Sequence, residues 1–232
     1  KLIDHGKKKD SEIADKVLSQ AAINGHAQAM NAILEHTTPD AVDMNGETAL
    51  HKATIVVNQN TINCVAVLLN HDANLFKANK WGQTVFHKVP ANNDGQTRMA
   101  LLQMFAEQIR SKALLKDIVN KASLDTGDTP LLVACALPDR TQTVQQLIGM
   151  GADVNKANYK GETPLFIAAA HFNVETAKVL LEADADPNAK NNSGCGPLTK
   201  VAGARFHKEG EMERAREIVK MLRAKGARVE DF

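Results

Sequence analysis

Eight histidines and three cysteines are the side chains of this 232-residue chain best able to bind a metal, attack a carbon or move a proton. The histidines are His5, His26, His36, His51, His71, His87, His171 and His207. None belongs to an H-E-x-x-H pair, and none stands at metal-ligand spacing from a cysteine. Cys64, Cys135 and Cys195 are scattered, odd in number and without a C-x-x-C. That set predicts a reducing, cytoplasmic setting, and neither a disulfide framework nor a zinc site. Cys64 and Cys135 read as small buried apolar residues, whereas Cys195, beside a turn glycine, is expected nearer the surface. The glycines stand singly, so no glycine-rich loop is present to cradle a phosphate. Asp153 and Asp186 look like an acidic pair but read better as one turn position in successive copies of a repeat. These residues predict no catalytic constellation, no metal site and no cofactor.

The elements that must position such side chains are legible in "GETPLFIAAAHFN", Gly161 to Asn173. Thr163 can cap a helix through its hydroxyl, which is worth about 1 kcal/mol. Pro164 suits the first helical position, where its missing N–H costs nothing. Ala168, Ala169 and Ala170 form helix readily and leave room for another helix to approach. Paraphrases occur as "GETALHKAT" from Gly46, "GQTVFHKVP" from Gly82, "GDTPLLVAC" from Gly127 and "GCGPLTKVA" from Gly194. Successive glycines are 36, 45, 34 and 33 residues apart, and a degenerate copy, "KVLSQAAINGHAQAMNAILEH", fits one period upstream. Each phrase leads into a second helical pattern, as in Val174, Ala177, Leu180 and Leu181, and then into an exit like Gly151-Ala-Asp-Val-Asn155.

A fixed period of this length predicts stacked repeats. Composition agrees: 44% of residues are hydrophobic but only 4% aromatic. Alanine- and leucine-rich helix pairs that bury their faces against neighbours need few large rings. The net charge of +1 provides no field for nucleic acid or a membrane surface. No apolar run approaches the roughly 18 residues of a membrane span. No secretory signal is visible, and a chain opening at Lys1 reads as a piece of a longer one.

The start phrase, the second helix and the Gly-Ala-Asp-Val-Asn exit together resemble the ankyrin repeat, over roughly Ser11 to Val229. The resemblance implies an all-α solenoid of stacked antiparallel helix pairs with β-hairpin-like fingers. One domain, 1–232, would hold repeats near 11–43, 44–79, 80–124, 125–158, 159–191 and 192–229. The family's helix-start histidine survives as His51 and His87 and is replaced by Leu132, Phe166 and Thr199 in the later copies. There the ring is expected to bond the turn backbone and the threonine hydroxyl, which is a structural duty.

What the resemblance implies for function is a non-catalytic, monomeric module. It would bind a protein partner along a concave surface of fingers and first helices, with no nucleic acid or membrane partner. The positions the repeat leaves free are Met44, Asn45, Glu47 and Ile55; Lys80, Trp81, Gln83 and Asn92; Asp128; Tyr159, Lys160, Glu162 and His171; and Asn192. The only Trp and the only Tyr fall in this set, each beside a lysine, and such rings are enriched in binding hot spots. Each ring could instead lie on a neighbouring finger and stiffen it. The alternative from another class is the targeting or regulatory arm of a larger enzyme, or of a secreted bacterial effector acting in a host cell. Asn155 is expected to stabilise its turn and, with Leu147 eight residues before it and Asp153-Val154 preceding it, fits the family's context for asparaginyl hydroxylation. Asn188 fits it less fully.

Two stretches break the period. The interval from Gly82 to Gly127 carries about a dozen extra residues, near 91–115, in which Leu101, Leu102, Phe105, Ile109 and Leu114 predict a packed helical elaboration. The last copy is stretched by a charge-rich segment with Glu213–Arg216 and Glu217–Lys220 spacings. It reads as a polar C-terminal cap. A basic docking strip along Arg214, Arg216, Arg223 and Arg228 is the other reading.

Overall fold

Threonine hydroxyls start the inner helices. Thr48, Thr129 and Thr163 each accept the amide three residues ahead through Oγ1 at 3.3 Å, satisfying one of the donors a helix N-terminus leaves unpaired. The computed structural model describes residues 2–57, 60–205 and 209–228, with side chains from residue 13 onward. The side chain of His5, the whole of His207 and the last residue of the expected sixth repeat lie outside them.

The helices are α1 (Leu2–Asn24), α2 (Ala27–Leu34), α3 (Ala49–Ile55), α4 (Thr61–Asn70), α5 (Val85–Lys88), α6 (Gly95–Gln108), α7 (Lys112–Val119), α8 (Pro130–Ala136), α9 (Thr141–Gly149), α10 (Pro164–Ala170), α11 (Val174–Glu182), α12 (Pro197–Ala202) and α13 (Glu211–Ala224). They form two compact units, residues 1–110 and 111–232.

In the first unit α1–α2, α3–α4 and α5–α6 are the helix pairs. The inner helix α3 packs on α1 and α5, and the outer helix α4 packs on α2 and α6. The inner helix α5 is cut to four residues and continues as a 3-10 turn, Val89–Ala91, because Pro90 offers no N–H to an α-helix. Phe86 from α5 meets Phe105 from α6 edge-on, with ring centroids 5.5 Å apart. In the second unit α7 comes first, followed by the pairs α8–α9, α10–α11 and α12–α13. The inner row is α8, α10, α12 and the outer row is α9, α11, α13. Ala168 and Ala169 are fully buried where α10 is flanked by α8 and α12. The small side chains are what let three inner helices lie close together.

The period break in the first unit differs in one respect from the sequence reading. Leu101, Leu102 and Phe105 are fully buried in α6, and Ile109 is buried after it. The apolar stripe stops there, however. The backbone leaves the helical region at Ile109, and Ser111 caps a new helix by accepting the Leu114 amide at 3.4 Å. Leu114, expected on the same buried face, is 49% exposed on α7. At the other end Ala215, Ile218 and Leu222 of α13 are buried, whereas Glu213, Arg216, Glu217, Lys220 and Arg223 are exposed. One apolar stripe under a charged outer face is what a terminal repeat requires.

Leu102→Asp is expected to lower unfolding free energy by about 3 kcal/mol or more, because the charge would be buried without a partner. Leu114→Asp should change it by no more than about 0.5 kcal/mol. Denaturant unfolding of both variants checks the pair; equal effects would contradict the placing of Leu102 in the core and of Leu114 at the surface.

Candidate functional site

Between an outer helix and the next inner helix the chain makes a finger, and the same side-chain turn builds most of them. Asp43, Asn79, Asn158 and Asn191 each stand three residues before the finger glycine. Their Oδ1 atoms accept two amides across the tip: Asn45 and Glu47, Trp81 and Gln83, Lys160 and Glu162, Ser193 and Cys195, all at 2.8–3.0 Å. The tip glycine follows with φ near +74°, as at Gly46 and Gly161, a region that side chains with a Cβ disfavour. In the finger of Gly127 the Ser123 hydroxyl accepts one amide, that of Asp128, at 3.1 Å.

Neighbouring fingers within a unit are joined by backbone. Lys80 N–H donates to Asn45 O at 3.0 Å, Tyr159 N–H to Thr126 O at 3.0 Å, and Asn192 N–H to Lys160 O at 2.9 Å. Side-chain amides add a second tie. Asn120, Asn155 and Asn188 accept the amides of Asp153, Asp186 and Arg228 at 2.7–3.0 Å, and donate to the carbonyls of Gly151, Asp184 and Gly226. In the first unit Asp40 accepts the amide of Asn74 at 2.9 Å.

This frame exposes some of the residues singled out in the sequence and uses others. Met44 is 82% exposed, Tyr159 60% and Trp81 40%. Asn45, Ile55, Lys80, Lys160, His171 and Asn192 are exposed too. Glu47 is half-buried and closes an ion pair with Lys88 at 2.7 Å, while Asp43 pairs with Lys52 at 2.8 Å. Partial burial pushes the Asp43 carboxyl up, but hydrogen bonds from Lys52, Glu47 and Asn45 outweigh it and hold it below its ordinary value. Gln83, Asp128 and Glu162 are half-buried; the side chain of Asn79 reaches Gln83, and that of Asn158 reaches Asp128 and Glu162. The Tyr159 ring rests on the preceding finger, filling the space where a Cβ on Gly127 would come within 2.5 Å of it. Asn92 requires a correction. It is fully buried, its amide donating at 3.0 Å to the carbonyls of Thr54 and Val56, so it closes the end of α3 and is unavailable at the surface. Asn173 ties the carbonyls of Cys135 and Leu137 in the second unit. His171 sits at the far end of α10 from its finger, beside a groove lined by Asp139, Glu175, Glu211 and Glu217 against Arg214.

His51 is buried in the frame. Its Nδ1 accepts from the Thr48 amide at 3.3 Å and from the Thr48 hydroxyl at 2.9 Å, and its Nε2 donates to Gln83 O of the next finger at 3.1 Å. His87 makes the same pair of bonds to Thr84. Burial pushes the His51 pKa below its usual 6.5, against smaller opposing effects of the Gln83 carbonyl and the Glu47 and Asp43 carboxylates. Cys64 and Cys135 are fully buried, and burial pushes both thiols up. Among the described residues no cluster of three or more His, Cys, Asp or Glu could hold a metal, and no helix is long and apolar enough to cross a membrane.

The sequence marks Asn155 as a turn-stabilising residue but not its reach to the next repeat, although the signal for such ties is present. Asp40, Asn155 and Asn188 each stand six residues before a finger glycine, and Asp43, Asn79, Asn158 and Asn191 three before. Lys52 and Lys88, which neutralise finger carboxylates, were also unmarked.

These helix pairs and fingers match known proteins. The family model "Ankyrin repeats (3 copies)" matches residues 18–102 and 102–191, and "Ankyrin repeats (many copies)" matches residues 165–223. The chain belongs to the ankyrin-repeat family. It is 27% identical over 187 residues to an L-asparaginase of Dirofilaria immitis, covering 80% of this chain and 29% of that protein. It is similar to an ankyrin repeat domain of Acinetobacter baumannii, with 27% identity and a TM-score of 0.68 over 91% of this chain and 98% of that one. A chain of the Bdellovibrio bacteriovorus complex between the predatory endopeptidase Bd0816 and the immunity protein Bd3460 shares the fold at 23% identity. There the TM-score is 0.68, over 90% of this chain and 97% of that one. Ankyrin repeats are generally protein–protein interaction modules, and the fold is typically non-catalytic.

The buried neutral His51 makes stability depend on pH. Its folded pKa is lowered, so the unfolded chain takes up the proton first as pH falls. The contribution is whole above the usual 6.5 and is lost as pH falls through the folded value. Thermal unfolding from pH 8 to pH 5, values of about one unit or more on either side of a free histidine, should show a midpoint that falls on the acid side. His51→Gln should flatten that fall, and an unchanged profile would contradict the assignment.

Proposed function

We propose that the chain is a non-catalytic interaction domain that binds a protein partner through the finger tips and exposed inner-helix positions of each unit. One observation carries this reading. The fingers use backbone, asparagine and glycine for their own construction and leave Met44, Lys80, Trp81, Tyr159 and Lys160 exposed at the tips. A surface held by hydrogen bonds before the partner arrives loses little conformational freedom on binding. Glu47, Gln83, Asp128 and Glu162 border the tips and set their polarity, while Asn45, Ile55, His171 and Asn192 complete the exposed set. The likeness to under a third of a longer enzyme supports a second reading, in which this domain is the targeting or regulatory arm of a larger protein. The length of the complete reading frame decides between the two.

Partners captured by the intact domain and identified by mass spectrometry provide the assay. Trp81→Ala is expected to weaken binding of such a partner by about 2 kcal/mol or more, with the unfolding midpoint nearly unchanged. Unaltered affinity with a lowered midpoint would make the ring a structural brace.

Asn155 and Asn188 are exposed, with their amides bridging to the next repeat. Each is a candidate for hydroxylation in a eukaryotic cell. Mass spectrometry of the domain expressed there should find one added oxygen on the Asn155 peptide; a peptide without it ends the idea.

A further inference from the structure

We propose that a cleft at the end of the inner row of the second unit, flanked by Lys200 and Arg205, receives a carboxylate side chain from an acidic segment of the partner protein. This rests on the reading of the chain as an interaction domain and specifies the partner's chemistry.

The argument begins with register. Lys52, Lys88 and Lys200 each stand six residues after a finger glycine: Gly46, Gly82 and Gly194. The first two are neutralised within the fold, Lys52 by Asp43 at 2.8 Å and Lys88 by Glu47 at 2.7 Å. Lys200 has neither arrangement. The place of Asp43 in its own finger is taken by the neutral Asn191. Glu162 occupies, in the preceding finger, the place that Glu47 holds relative to Lys88. Its Oε2 accepts from Asn158 Nδ2 at 3.1 Å, and it makes no ion pair with Lys200 among the described residues. The Lys200 ammonium lies instead 5.9 Å from the centroid of the Phe166 ring. The residue after the finger glycine, acidic at Glu47, Asp128 and Glu162, is Cys195 here.

The uncompensated charge borders an open space. A cleft of about 450 Å³ is lined by Ala170, Phe172, Cys195, Thr199, Lys200 and Arg205, with glycine and alanine from the turn after α12. Lys200 and Arg205 are both exposed, and no carboxylate is among the described residues that line the cleft. Two cations beside small apolar walls and a hydroxyl complement a carboxylate carried on an apolar stem. The opposite sign prevails in the groove of Asp139 and Glu175, so the basic character is local to this cleft. An acidic segment would supply to Lys200 the partner that finger carboxylates supply to Lys52 and Lys88. A local basic patch of this kind steers an anionic partner and loses its effect as salt screens it.

Cys195 offers a probe, because it is only half-buried whereas Cys64 and Cys135 are fully buried. The folded chain is treated with the dianionic reagent dithionitrobenzoate and with the uncharged dithiodipyridine. Cys195 is expected to favour the anionic reagent at low salt, and Lys200→Gln with Arg205→Gln should cut that preference about tenfold. A short alternating Glu–Leu peptide at millimolar concentration should slow labelling by the neutral reagent, while its Gln–Leu counterpart and a single-stranded oligonucleotide should not. Unfolding midpoints verify that the double variant remains folded. The proposal is overturned by equal protection from the Gln–Leu peptide, by protection from the oligonucleotide alone, by no protection from the Glu–Leu peptide, or by a double variant that labels like the parent. If those results appear while partner capture still depends on Trp81, the interaction reading stands and only the acidic-segment inference fails. If capture is indifferent to Trp81 while the Glu–Leu peptide still protects, the finger-tip reading fails instead.

Discussion

The carboxamide that reaches from one repeat to the backbone of the next is the interaction on which the fingers depend. A finger is a short hairpin with little apolar surface, and a two-stranded hairpin alone is marginal in water. Asn155 illustrates the remedy. Its Oδ1 accepts the Asp186 amide and its Nδ2 donates to Asp184 O, so one side chain satisfies two backbone groups of the next turn. Asn120 and Asn188 repeat this in the second unit, and Asp40 makes the acceptor half of it in the first. Aspartate lacks the N–H donors, and a lysine adds a separate tie there, the Lys77 ammonium donating to Asp40 O at 2.6 Å. Lys156 does the same to Asn120 O.

The helices supply what the ties cannot, which is apolar burial. Inner helices of six or seven residues are too short to be stable alone. They persist because each packs on at least one neighbouring inner helix and on the helix of its own pair. The threonine cap, the proline at the first position and the buried alanines all serve that arrangement. Asn92 and Asn173 show how the far ends of α3 and α8 are closed, by donating from the next repeat to carbonyls that the helix leaves unpaired. Nothing in these devices requires a particular residue at a fingertip, so Met44, Trp81, Lys80 and Tyr159 are open to a binding role.

Most of the architecture was legible in the sequence because a repeat presents the same solution several times. One copy of "GETPLF" is a helix start; five related phrases near a common spacing are a fold. The period break was half legible. Leu101, Leu102 and Phe105 announced a buried face, but spacing alone could not show that Ser111 restarts the helix and turns Leu114 outward. Among the site residues, Asn92 was misplaced because its position relative to the helix start says nothing of depth, and Pro90 draws the chain inward there as a 3-10 turn. Asn155 was legible as a residue that stabilises its own turn, but the reach to the next repeat was not, because Asp40, Asn155 and Asn188 recur six residues before glycines that were read only as punctuation. Unpaired Lys200 emerges only when its register is compared with Lys52 and Lys88 and their ion pairs are known.

The central claim is that the fingers form a rigid surface before any partner binds, held by bonds from repeat to repeat. Amide hydrogen exchange of the free chain, read at Asp153 and Asp186, tests it most directly. The account predicts protection comparable to that of α8 and α10, and its loss at Asp186 in Asn155→Ala while the α10 amides stay protected. Exchange of both amides in the parent chain at the rate of an unstructured loop would contradict it.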